Sequence, residues 1–112
     1  MSETSILGSM KNSLYGNSET LGEAYDTELM IHINMYLATL RQLGIGLDSK
    51  VTVTGDSETW EQLTDNEQDL AMAKAYVYYR LKIEFDPPDN ASVLNAYKES
   101  VKEIEWRAEC GE

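Results

Sequence analysis

Between residues 66 and 85 the chain carries two apolar stripes on one helical segment, and Pro87-Pro88 follows directly after. At ~100° per residue, Leu70, Ala73, Val77 and Leu81 share one side, while Met72, Tyr76, Tyr79 and Ile83 share nearly the opposite side. An ordinary surface helix has a single apolar face. Two faces leave two readings open: the helix is the sandwiched centre of a bundle, or it is shared between its own core and a neighbouring subunit. Tyrosine suits the second, because its ring buries area while its hydroxyl stays wet. Met72, Tyr76, Tyr79 and Ile83 are therefore the candidate subunit-interface residues.

The segments around this helix are also mostly helical. Ile6, Met10 and Leu14 recur at i, i+4 and i+8, with Leu7 beside them and Gly16 placed as a stop. Gly8 inside that short helix costs about 1 kcal/mol against alanine, so the helix needs tertiary contacts. A polar linker follows over residues 16–25. Asp26 is placed as the N-cap of a second helix that runs to Leu43, where Gly44 supplies a left-handed turn and Ile45 an apolar contact. Residues 51–54, VTVT, alternate like a strand, yet no partner strand is visible. Such a segment is a loop, a partner to the preceding GIGLD, or an edge completed by another chain. TWEQL then forms a short helical piece, and Thr64 and Glu67 have capping-box spacing ahead of the long helix.

Pro87 ends that helix by excluding Asp86 from the helical region. Asp89 or Ser92 then caps a last helix, on which Leu94, Tyr97, Val101, Ile104 and Ala108 follow a heptad-like spacing. The short joint predicts an antiparallel hairpin of the last two helices. Glu99 with Lys102, and Glu103 with Arg107, form favourable pairs on its exposed side. Trp106 lies nearly opposite the heptad stripe, either as a cap on the bundle or as a contact for another chain. The expected fold is mainly α: a small bundle of about four helices with a short extended or β segment near residues 50–54. One domain spans residues 1–112, with an N-terminal helix and linker over 1–22, a helical core over 23–109 and a tail over 110–112.

At 112 residues, the chain buries about two-thirds of its unfolded surface without needing disulfides. Its single cysteine, Cys110, cannot form an internal bridge, which fits a reducing compartment. No apolar run has membrane-spanning length, and the first residues lack a signal-peptide pattern. The formal net charge of -11 and the lack of a basic stripe argue against tight nucleic-acid binding.

Catalytic chemistry finds few residues to use. His32, the only histidine, sits between Ile31 and Ile33, so a two-histidine metal site is impossible and a structural or solvent-facing role is expected. Cys110 lies near Glu109 and Glu112, which disfavour a thiolate. DSETWEQLTDNEQD is rich in carboxylates but lacks the progression of a calcium loop, and the glycines have no phosphate-binding context. No catalytic residue, metal site or cofactor is expected.

In chain order, YDTELMIHINMYLATLRQLGIG, TWEQL, AKAYVYYRLKIEFDPP and LNAYKESVKEIEWR resemble the head-tail connector, or adaptor, proteins of long-tailed bacteriophages. The likeness covers about residues 25–107 and leaves out the first helix and the CGE tail. It implies a non-catalytic virion protein that is assembled in the bacterial host cytoplasm and located in the neck between head and tail. There it forms a ring of about twelve copies beneath the portal. The implied partners are further copies of itself, the portal protein and a head-closure or tail protein, with no membrane. DNA passes through the continued channel without specific binding. The resemblance carries ring packing to the helix of residues 66–85 and portal docking to Trp106 and Arg107.

Other classes are an acidic DNA mimic, or another small helical phage protein that binds a host factor, and a small enzyme built on His32. Lys74, Arg80, Lys82, Lys98 and Lys102 interrupt the acidic ridge a mimic needs. The enzyme class would require loss of an activity, without loss of folding, when His32 is changed to Ala.

Overall fold

The computed structural model describes residues 5–15, 23–55 and 57–110, with the backbone alone at Tyr15 and residues 23–25. The first helix, α1 (Ile6–Tyr15), buries Ile6, Leu7, Met10 and Leu14, as its spacing predicts. Three contacts offset the helix-weakening Gly8. The Gly8 N–H donates to the Ser5 hydroxyl at 2.9 Å, and the Ile6 N–H donates to the Glu58 carbonyl at 2.9 Å. The Trp60 indole N–H donates to the Ser9 hydroxyl at 2.8 Å. Helix α1 is thereby bolted to a segment some fifty residues away in sequence.

The second helix, α2 (Glu23–Leu43), starts four residues before Thr27, the first helical residue if Asp26 were the cap. Asp26 is therefore not its cap; its carboxylate lies 2.8 Å from the Lys11 ammonium and joins α2 to α1. The remaining linker residues, 16–22, and the stop assigned to Gly16 lie outside the described residues. The other end of α2 forms as expected. Gly44 has φ of 111°, where a side chain would be strained. Its N–H donates to the Arg41 carbonyl at 3.1 Å and the Ile45 N–H to the Leu40 carbonyl at 3.0 Å. This Schellman closure satisfies two helix-end carbonyls and buries Ile45.

Residues 51–54 belong to no strand and to no helix. A side chain supplies what a partner strand would. The Asn34 amide nitrogen donates to the Val53 carbonyl at 3.0 Å, and the Val53 N–H donates to Asn34 Oδ1 at 2.8 Å. Seven residues along the same face of α2, the Arg41 guanidinium donates to the Asp48 and Val51 carbonyls at 2.7 and 3.0 Å. The segment is thus laid along α2, with Leu47 and Val53 buried beneath it.

A 3-10 turn, Trp60–Gln62, leads into α3 (Glu67–Phe85). The cap of α3 is Asn66, whose side chain accepts from the Asp69 N–H at 3.0 Å, in place of the expected Thr64–Glu67 box. Thr64 instead accepts from the Asn66 N–H at 3.1 Å. After the Pro87-Pro88 corner, α4 (Ala91–Glu109) is capped by Asn90 and not by Asp89 or Ser92. The Asn90 side chain accepts from the Ser92 and Val93 N–H groups at 2.8 and 3.2 Å. Tyr76 meets Glu105 while Tyr78 meets Tyr97, so α3 and α4 run antiparallel as the short joint requires. The described residues thus hold four α-helices and no strand, a mainly α fold.

Candidate assembly surfaces

Helix α3 lies between α2 and α4, and this sandwich accounts for its two apolar stripes. Ala73, Val77 and Leu81 of the first stripe are fully buried. Tyr76 of the second stripe is also fully buried, which removes it from the candidate interface: no neighbouring copy can reach it. Its ring meets Tyr36 edge-on, with centroids 6.4 Å apart. Its hydroxyl donates to Glu105 Oε2 at 2.8 Å and accepts from Arg80 Nη1 at 2.6 Å. The Arg80 guanidinium also lies 4.5 Å from the centre of the Tyr36 ring. One phenol thus links α2, α3 and α4. Burial, then the hydrogen bond to Glu105, pushes the Tyr76 pKa up to about 12, so the hydroxyl remains a donor at neutral pH.

Met72, Tyr79 and Ile83 are half-buried and pack against the core. The Tyr79 ring meets Tyr97 of α4 at a tilt of 45°, with centroids 5.0 Å apart. With Met72, it borders a cleft of about 220 Å³ that also touches Ile104 and Arg107. These three residues keep only their outer edges free.

The bare apolar surface lies elsewhere. Trp106 is 64% exposed, Ile31 53% and Met35 48%. Trp106 projects away from the buried stripe of α4, where its helical position puts it. Beside it, Arg107 is exposed and donates to Glu103 at 2.7 Å. Ile31 and Met35, with exposed Ala38, form an outward stripe on α2, opposite the buried Ile33, Tyr36, Leu37 and Leu40. Sequence reasoning missed this stripe, although the same ~100° spacing applied to α2 puts Ile31, Met35 and Ala38 on one side. An open groove of about 600 Å³ runs between α1 and α3, with Met10, Trp60, Ala71, Lys74, Ala75 and Tyr78 along it.

The remaining candidate residues stand apart from one another. His32 Nδ1 lies 2.9 Å from the Glu28 carbonyl, and its ring meets Phe85 edge-on at 4.8 Å, a packing role between α2 and the end of α3. Cys110 is exposed at the end of α4. Among the described residues, no group of three His, Cys, Asp or Glu side chains is arranged to hold a metal ion, and no helix is long and apolar enough to cross a membrane.

Hydrogen-bonded polar groups that tie helices together inside, and bare apolar side chains outside, define a small helical protein without an evident catalytic centre among the described residues. The family model described as phage connector protein matches residues 6–111. The chain belongs to that family. It is a bacteriophage structural protein of the virion, and its connector role implies contacts with other head and tail proteins. The match includes α1, beyond the span of the resemblance noted above. No curated relative and no solved structure matches the chain significantly.

Proposed function

We propose that the protein is a head-tail connector subunit that forms a ring beneath the portal and continues the DNA channel. The observation that carries this reading, beside the family membership, is the pair of bare apolar features on different helices: Ile31 and Met35 on α2, and Trp106 on α4. A cyclic assembly needs contacts to neighbours and to the ring's flanking proteins, and so more than one sticky surface per subunit. Trp106 and Arg107 serve as the portal-docking pair. A large exposed aromatic beside a guanidinium has the composition of an interface hot spot. The opposite side of the ring meets a head-closure or tail protein.

The acid surplus acquires a role in this arrangement. Carboxylates facing the bore repel DNA phosphates, so the duplex slides without adhering. Exposed Lys74, Lys98 and Lys102 break up the acidic surface, which disfavours a DNA mimic. Native mass measurement of the chain with the portal of its own phage tests the reading. A defined multimer of about twelve copies is expected, and a one-to-one complex, or none, contradicts it. Trp106→Ala should abolish portal binding without unfolding the subunit.

A further inference from the structure

Building on that ring reading, we infer that the outward stripe of α2, Ile31 and Met35, seats in the α1–α3 groove of the next copy. The first support is placement. Tyr36 faces α3, touching Tyr76 and Arg80, whereas Ile31 and Met35 point out of the opposite side of α2. On α3, Ala73 and Val77 face the core, whereas Ala71, Ala75 and Tyr78 border the groove. Ridge and groove therefore lie on opposite sides of the α2–α3 pair. A head-to-tail contact between unlike patches requires such a placement, because each subunit must hold one neighbour while being held by another.

The second support is shape. Ala71 and Ala75, at i and i+4, leave a hollow along α3 above the buried Met10 and Trp60. Ile31 and Met35 are also at i and i+4, so the projecting side chains repeat with the same ~6 Å step as the hollows. Helices pack when a ridge of this kind enters a groove of matching pitch.

Charge gives the third support. Glu28 lies one turn before Ile31, is exposed, and has no ion-pair partner among the described residues. Lys74, between the two alanines, is exposed and likewise unpaired among the described residues. Glu61 also borders the groove, but beside Trp60. On a chain of net charge -11, a lysine bordering this groove between two alanines selects for a partner that brings a carboxylate beside its apolar residues. The α2 face does so.

Full-length variants are mixed with the portal, and bound copies are counted by native mass, with thermal midpoints as the folding control. Met35→Asp and Lys74→Glu are each expected to weaken copy-to-copy association by about tenfold or more while leaving the midpoint unchanged. Combining Glu28→Lys with Lys74→Glu in one chain is expected to restore it. Single variants that assemble like the unmodified chain, or a double variant as weak as Lys74→Glu alone, overturn the inference and leave the ring intact. An unmodified chain that binds the portal singly overturns both.

Discussion

Helices α2 and α3 each carry apolar residues on two sides, and the fold treats them oppositely. The second stripe of α3 is largely closed by the chain itself: α4 packs against it, Tyr76 is inaccessible and Tyr79 lies against Tyr97. The second stripe of α2 is left open, with Ile31 and Met35 about half exposed. An apolar stripe therefore shows that something covers it, while the identity of the cover depends on where the next helix returns. For α3, the Pro87-Pro88 corner brings α4 straight back along it. Helix α2 is followed by the segment pinned through Asn34 and Arg41, which covers one flank and leaves the outward stripe free.

The comparison breaks most readily at Tyr76. Replacing it with Ala should cost about 3–5 kcal/mol, because a buried aromatic is removed and Arg80 and Glu105 lose their shared partner. Chemical denaturation measures this, and a loss near zero would mean that α4 does not seal the stripe. Asn34→Ala should cost about 2 kcal/mol by stranding the Val53 N–H and carbonyl. Hydrogen exchange at the Val53 amide should rise with it.

Tyr76→Phe preserves the packing and removes the hydroxyl, so about 1.5 kcal/mol is expected. It should also change the alkaline limb. The pKa of Tyr76 is raised from 10.0 to about 12, so its contribution is full below 10.0 and is lost as pH rises through about 12. Burial raises Tyr36 and Tyr78 as well, so the variant should flatten this limb without abolishing it. The smallest effect is expected at the open stripe, where Met35→Ser should shift monomer stability by less than about 0.5 kcal/mol. A larger loss in denaturation would show Met35 to be part of the core.

Much of this fold was legible in the sequence. Apolar periodicity located the helices, Gly44 marked the end of α2, and the two prolines set the hairpin. The caps were displaced because capping residues stand close together: Thr64, Asp65 and Asn66 before α3, and Asp89 and Asn90 before α4 with Ser92 in its first turn. Local preference alone does not choose among them. The partner of residues 51–54 could not be read, because Asn34 is nineteen residues away and reaches Val53 only after α2 and the turn have formed. The same holds for the surfaces. Periodicity counted the faces of α3 correctly, but taking Tyr76 out of the candidate interface required knowing that Glu105 and Arg80 enclose its hydroxyl. The open stripe of α2 was present in the spacing of Ile31, Met35 and Ala38, obscured by the stronger pattern on its other side.

The most direct measurement is hydroxyl-radical footprinting of Met35 and Tyr76, compared between the free subunit and the portal-bound assembly. Met35 should react readily when free and become protected on assembly, while Tyr76 stays protected in both. A Tyr76 that reacts in the free subunit and is shielded only in the assembly, with Met35 equally reactive throughout, would contradict the assignment of the closed stripe to α3 and the open one to α2.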